Sequence, residues 1–253
     1  MCIDDGVNEA NQCISAIDLG ACDEFAVMAG SAATCAGASN CDIPIGKLGA
    51  GTAITGNFAG DILAIDSNWN AAGCARDGLA ALNAGKARAA GVNMIAEMGG
   101  MTFTPGTYTH GSAINIALAN PIVTLDGEGD ENAVFIFIAG STLTTCAFSQ
   151  IVLQNGANAE NVFWVLGTSL TMGADSIMVG TFLAGSAVTI GTNGKIWGRV
   201  IAQTGVTCTG CIGVEIPSAT TNGCGCIPTD AAPCAYCCPK DPRLTLSQPQ
   251  HQP

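Results

Sequence analysis

Apolar stretches of three to five residues, separated by glycines, recur through the second half of the chain. Val162-Phe163-Trp164-Val165-Leu166 is followed by Leu170-Thr171-Met172-Gly173 and then by Ser176-Ile177-Met178-Val179. The three-part unit returns over residues 181–197 and again over residues 200–214, so that Thr171, Thr189 and Thr207 fall at intervals of 18. Three short strands and three corners consume about that many residues, which is one turn of a parallel β-solenoid. Each turn advances the chain by one inter-strand spacing, about 4.8 Å. An antiparallel sandwich is the competing arrangement. It is disfavoured because the hairpin pairs Asn155-Gly156, Asn193-Gly194 and Asn222-Gly223 do not fall between all the strands.

Two strands break the pattern of one apolar face. Residues 133–138 and 162–166 are apolar on both sides, so both of their faces must be covered. The segment 69–98 supplies the cover. Ala71-Ala72 and Leu79-Ala80-Ala81-Leu82 open a helical pattern, Lys86-Ala87-Arg88-Ala89-Ala90 and Ala96-Glu97-Met98 continue it, and Gly99-Gly100 closes it as a C-cap would. Gly78, Gly85 and Gly91 each weaken that helix by up to ~1 kcal/mol, but they permit close approach to a sheet. The expected fold is therefore mainly β: a three-faced parallel solenoid of about 18 residues per rung with one long α-helix alongside. The domain reading is a cysteine-containing extension over 1–17, the solenoid over 18–216, and a tail over 217–253 rich in cysteine and proline.

A short motif, hydroxyl–small–apolar–Thr or Asn, runs through the strands. It reads Ser31-Ala32-Ala33-Thr34, Thr52-Ala53-Ile54-Thr55, Ser112-Ala113-Ile114-Asn115 and Ser141-Thr142-Leu143-Thr144. It continues as Thr168-Ser169-Leu170-Thr171, Ser186-Ala187-Val188-Thr189 and Thr204-Gly205-Val206-Thr207. Alternate side chains of a strand share a face, so the third residue points inward while the second and fourth point out. The candidate contact set is Thr34, Thr52, Thr55, Asn115, Thr142, Thr144, Ser169, Thr171, Ala187, Thr189, Thr207 and Thr209. Seven stacked rungs span roughly 30 Å. The surface is flat and uncharged, and threonine is stiff at χ1, so little entropy is lost in holding it in register. Such a wall suits a solid with a repeating lattice, ice above all: methyls order first-shell water and hydroxyls anchor it. Threonine is also an ordinary outward residue on any strand, and on pattern alone an inert scaffold is favoured over a ligand face.

Composition narrows the classes. Acids outnumber bases by 20 to 8, giving a net charge of −12, and eight scattered cations cannot build a face for nucleic acid or an anionic membrane. The longest apolar runs are about seven residues, against about twenty for a bilayer span. Met1-Cys2-Ile3-Asp4-Asp5 shows neither the basic start nor the apolar run of a signal peptide. Fourteen cysteines are too many for an ordinary cytosolic protein and point to disulfides and secretion. Zinc is the rival reading for Cys234-x-x-Cys237 and Cys224-x-Cys226.

No cofactor or resident metal is expected. Asp126-Gly127-Glu128-Gly129-Asp130-Glu131 reads as an acidic turn in preference to a calcium loop, because the EF-hand spacing is missing. His110 follows Tyr108-Thr109 at a strand end and reads as a solvated turn residue rather than a triad member; His251 falls in the tail. Paired carboxylates for glycoside chemistry are not evident. Trp164 fits the doubly covered strand and reads as core.

Several long motifs in order resemble the microbial ice-binding family. They are the 99–108 stretch Gly-Gly-Met-Thr-Phe-Thr-Pro-Gly-Thr-Tyr, the 123–137 stretch from Val123 through Asp126-Gly127-Glu128-Gly129-Asp130 to Phe137, Asn161 to Gly167, and Gly198-Arg199-Val200-Ile201-Ala202-Gln203-Thr204-Gly205. The opening Leu19-Gly20 and Phe25-Ala26-Val27-Met28-Ala29-Gly30 are similar too. The resemblance covers about residues 18–216. It implies a right-handed β-helix with a flanking helix, rungs not all stacked in sequence order, and an ice-binding face carrying Thr–Ala/Gly–x–Thr/Asn. Residues 52–55 and 204–207 match that pattern in full, and 112–115 and 186–189 match it with Ser for Thr. The expected function is adsorption to ice by a secreted, non-catalytic monomer whose partner is the crystal surface with its ordered water. An extracellular adhesion or surface solenoid without ice activity is the alternative, and a carbohydrate-active solenoid stands behind it.

Overall fold

The computed structural model describes residues 15–37, 41–62, 69–88, 91–117 and 120–217. The readings of the first residues and of the tail, including Cys224, Cys226, Cys234, Cys237 and His251, lie outside them.

All strand pairing is parallel, and it closes into stacked rungs with three faces. One face is a separate seven-stranded sheet. The other two join into a single sheet, because strands Ile177–Ala184 and Lys195–Ala202 turn the corner between them without a break. Gly180 (φ 105°) and Gly198 (φ 151°) stand at those bends. A side chain at Gly198 would run into the Gly180 carbonyl of the rung beneath, so the stacked corner requires glycine twice over.

Where this corner carries a loop, the rung lengthens. Between strands Ile122–Asp126 and Phe135–Ala139, and between Gln150–Gln154 and Val162–Leu166, the chain leaves the sheet. The expected 18-residue rung therefore holds from Leu170 onward, while Thr144 and Thr171, which are register partners, stand 27 apart in the chain. The acidic turn at 126–131 is one of these loops. Asp126 Oδ1 accepts from the Glu128 backbone N–H at 2.9 Å and from Asn155 Nδ2 at 2.8 Å, which tie the two loops together.

Rung order departs from chain order. Strand Ala32–Ala36 pairs with Val206–Thr209, and Phe25–Ala29 pairs with Lys195–Ala202. The amino-terminal rungs thus stack beyond the carboxy-terminal one, and the first rung of the repeat, at Ile114–Ile116, forms the opposite end.

The solenoid interior is a continuous apolar column. Its centre is an aromatic ladder in which Tyr108, Phe137, Trp164 and Phe182 occupy one register position on successive strands. Their centroids are 5.4, 4.3 and 5.7 Å apart with near-parallel rings. Trp164 is fully buried, as its doubly apolar strand predicts, and its Nε1 donates to the Val179 carbonyl at 2.9 Å.

The helix, α1, runs Trp69–Ala87 and covers the outer side of the strands that are apolar on both faces. Ala71, Cys74, Ala81 and Leu82 meet Val134, Ile136, Phe163, Val165, Leu183 and Ile201 in a second buried layer. Ile17 belongs to the same layer, and Cys22–Cys74 links it to the helix covalently. Asp77 on α1 accepts the Ala21 backbone N–H at 3.0 Å; that bond, then Arg76, holds its carboxyl below the usual carboxylate range.

The helix is shorter than expected. It ends at Ala87, and residues 96–98 are not its continuation: Val92–Asn93 pairs with the strand Gly106–His110, and Glu97 bridges to Asn115. Gly91 lies so close to the Thr107 carbonyl that no side chain fits there, and the chain passes onto the sheet edge at that point. Gly78 and Gly85 do permit the close approach expected of them. A Cβ at Gly85 would sit 2.6 Å from Val165 Cγ2. Gly85→Val is therefore expected to pry α1 from the sheet and to lower stability by about 1–3 kcal/mol, read as a drop in the denaturation midpoint.

Candidate functional site

The seven-stranded sheet carries the motif. Its strands run in the order Ala53–Thr55, Ala32–Ala36, Val206–Thr209, Val188–Ile190, Leu170–Met172, Leu143–Thr145 and Ile114–Ile116. The register is continuous: Thr55 opposes Thr34, then Thr207, Thr189, Thr171, Thr144 and Asn115 follow in one line. Six threonines and an asparagine thus form a row perpendicular to the strands. Residues one position earlier, Ile54, Ala33, Val206, Val188, Leu170, Leu143 and Ile114, point the other way and, except for the half-buried Ile54, are buried. The row stays outward for that reason: shifting any strand by one residue would put threonine into the core and leucine into water.

A second row lies two residues before the first, about 6.7 Å away along the strands. It contains Ala53, Ala32, Gly205, Ala187, Ser169, Thr142 and Ala113; Ala53 opposes Ala32. The ladder continues with Val188 N donating to Gly205 O, Leu170 N to Ala187 O, Leu143 N to Ser169 O and Ile114 N to Thr142 O. Small residues here leave the threonine methyls standing clear.

At the corner, one step further, the hydroxyls of Thr52, Ser31, Thr204, Ser186, Thr168, Ser141 and Ser112 stack through backbone bonds such as Thr52 N to Ser31 O and Thr204 N to Ser186 O. Ser141 Oγ and Thr168 Oγ1 are 3.4 Å apart, and Thr55 Oγ1 donates to Thr34 Oγ1 at 3.3 Å in the central row. Glycines at 51, 30, 185, 167 and 140 precede the corner hydroxyls. A Cβ on Gly30 would strike the Gln203 carbonyl, and one on each of the others the carbonyl of the glycine in the neighbouring rung. The corner is therefore as tight and regular as backbone allows.

None of the three rows contains a charged residue. Thr55, Thr144 and Thr171 are exposed, and Thr34, Asn115, Thr189 and Thr207 are half-buried by their neighbours in the row. The helix packs on a different face. Glu97 follows Asn115 at the end of the row, but its Oε1 is occupied by the backbone N–H groups of Gly99 (3.0 Å) and Ala117 (2.9 Å). It caps the ladder where a further strand would pair.

The expected contact residues sort cleanly. Thr34, Thr55, Asn115, Thr144, Thr171, Thr189 and Thr207 share the central row, while Thr142, Ser169 and Ala187 share the second. Thr52 stands in the corner row instead, and exposed Thr209 is the register partner of Ala36 at the far edge. Sequence reasoning passed over the other corner hydroxyls, although the first letter of the motif is Ser or Thr in all seven copies. His110 is half-buried rather than solvated, with Nδ1 2.9 Å from the Met94 carbonyl oxygen.

Comparison with known proteins agrees with the fold. The family model described as ice-binding-like matches residues 6–211. An ice-binding protein of Nostoc sp. (strain HG1) is 44% identical over 110 residues, 43% of this chain and 39% of that protein. Ice-binding protein 1 of Shewanella frigidimarina (strain NCIMB 400) is 38% identical over 109 residues, 43% of this chain and 12% of its own length. The aligned stretch thus spans two fifths or less of these relatives. Among solved structures, the ice-binding protein of the Antarctic ascomycete Antarctomyces psychrotrophicus superposes with a TM-score of 0.73 at 33% identity, over 81% of this chain and all of that one. An ice-binding protein from an Antarctic biological consortium gives 0.76 at 31% identity, covering 84% of this chain and 96% of that one. With four fifths of the chain matched by the family model, a parallel solenoid and a flanking helix, the chain belongs to the ice-binding-like family.

Proposed function

We propose that this protein adsorbs to ice through the seven-stranded face and thereby limits crystal growth, without catalysis. The observation that carries the reading is the row Thr55–Thr34–Thr207–Thr189–Thr171–Thr144–Asn115, in unbroken register on a charge-free parallel sheet. With about 4.8 Å between strands and about 6.7 Å between rows, the face is a two-dimensional lattice of methyls and hydroxyls. A dissolved ligand has no matching repeat, whereas a crystal plane does. Each contact is weak, but all are made at once by one rigid body, so detachment requires losing them together. The similarity to ice-binding proteins supports the same ligand.

Secretion fits the disulfides Cys22–Cys74, Cys35–Cys41 and Cys208–Cys211. A single copy suffices, since the face is built within one chain. The test is incorporation of the purified, fluorescently labelled protein into a growing ice hemisphere, with thermal hysteresis measured in parallel. Uptake with faceted crystals is expected. Exclusion from the ice, as for an inert globular protein, would overturn the reading in favour of an adhesion or scaffold role.

A further inference from the structure

We propose that Cys35, Cys41, Cys208 and Cys211 form, in the reduced chain, a tetrathiolate site for one soft divalent metal ion of the Zn²⁺ class. The site lies at the seam where the amino-terminal rungs stack on the carboxy-terminal rung. Cys35 and Cys208 are register partners across that seam, and both point into the core. Cys41 opens the strand that follows Cys35, and Cys211 lies three residues after Cys208. The sulfur atoms of Cys41, Cys208 and Cys211 all lie within 4.8 Å of one another. Cys35 is outside that mutual reach but is bonded to Cys41, so its sulfur lies on Cys41's side of the trio. Among the described residues the trio Cys41, Cys208 and Cys211 is the one group of potential ligand atoms in such mutual reach.

The chemistry of the set fits. Tetrahedral zinc at about 2.3 Å from each sulfur places the sulfurs about 3.8 Å apart, so the two bonded pairs must open on reduction while Cys41 already lies within 4.8 Å of both Cys208 and Cys211. Cys208-x-x-Cys211 has the spacing of a metal knuckle, and the Cys211 backbone N–H already donates to Cys208 Sγ at 3.1 Å. That bond favours the thiolate, the form a metal binds. The four residues are at most 6% exposed, so the shell is closed to water, as in a structural rather than a catalytic centre. Soft thiolates select zinc-class ions over magnesium or calcium.

The two disulfides close loops of 6 and 3 residues and neither crosses the seam. A metal held by all four sulfurs would cross it, linking segments some 170 residues apart in sequence and constraining the unfolded chain far more than either short bridge. In forming the site, each disulfide takes two electrons from a phosphine reductant and two protons from water, whose oxygen leaves on phosphorus. Metal binding then releases the four thiol protons.

The experiment uses the full chain with Cys2, Cys13, Cys146, Cys224, Cys226, Cys234, Cys237 and Cys238 replaced by Ser, reduced with phosphine without oxygen and titrated with Co²⁺. One equivalent is expected to give the sulfur-to-cobalt charge-transfer band and the intense visible bands of a tetrahedral site, both erased by Zn²⁺. Cys41→Ser and Cys211→Ser should each weaken cobalt binding by at least roughly a hundredfold, more than loss of a supporting group does, whereas Cys22→Ser should not. If the reduced chain unfolds without metal, Zn²⁺ should restore its β-sheet circular dichroism. Bands unchanged in Cys41→Ser and Cys211→Ser, a folded reduced chain with no tetrahedral bands, or an unfolded one that zinc does not restore would each overturn the proposal. Ice uptake by the oxidised parent is a separate measurement and is unaffected by any of these outcomes.

Discussion

Thr189→Tyr is expected to abolish adsorption to ice while leaving the thermal unfolding midpoint within about 2 °C of the parent, as for a surface change of about 0.5 kcal/mol or less. Thr189 is the middle member of the row, flanked in register by Thr207 and Thr171. A phenol ring there stands above the plane of methyls and holds the neighbouring rungs off a flat crystal plane. Because persistence comes from simultaneous contact, removing two or three rungs from reach should lower retention by roughly a hundredfold. Thr171→Tyr should behave alike, since Thr171 is exposed one rung away. Thr124→Tyr is the matched control: Thr124 points outward from strand Ile122–Asp126 on a different face. Thermal hysteresis and ice-hemisphere uptake read all three. If both row variants shape ice like the parent, the contact lies on another face; if Thr124→Tyr is the one that fails, that face is located.

What was legible in the sequence follows from how local each determinant is. The spacing of Thr171, Thr189 and Thr207 shows in the chain because those rungs follow one another with glycine corners and no loops. The position of Thr34 beside Thr207 does not show, because it depends on which open solenoid edge the first rungs bury against, a choice made by packing across some 170 residues. The end of α1 is hidden in the sequence for a related reason. Residues 96–98 have helical composition, but the sheet edge pairs Val92 with Tyr108 and Glu97 with Asn115, giving the backbone of residues 92–98 partners that a longer helix would leave unmet at that edge. The corner hydroxyls were present in the motif and went unassigned because a strand model ends its outward positions at the second and fourth residues. Cysteine pairing was closed to sequence reasoning altogether. Cys208-x-x-Cys211 has the spacing sought only in the tail, yet what makes it a candidate centre is the approach of Cys35 and Cys41 from the other end of the chain.

Trp164→Ala is expected to carry the largest stability cost of any single truncation, about 3–5 kcal/mol. That is a large share of the 5–15 kcal/mol by which a domain is usually stable. The indole is wholly buried between Phe137 and Phe182, with Phe163 and Val165 on either side of it in the strand facing α1. Its removal opens a void that two rigid rings cannot close, and it leaves the Val179 carbonyl without its indole donor. Trp164→Phe weights the two effects differently: an aromatic ring stays in the stack, while the hydrogen bond and the volume of the second ring are lost, so about 1–3 kcal/mol is expected. Denaturant midpoints of the two variants measure the difference, and equal losses would mean that a phenyl ring in the stack contributes no packing stability. Near 0 °C, where a destabilised but folded Trp164→Ala population remains, the threonine row is untouched and ice uptake per folded molecule should equal that of the parent. A folded variant that no longer adsorbs would show instead that the flatness of the outer row is set by the aromatic ladder behind it, which would move the origin of ice recognition from the surface lattice into the core.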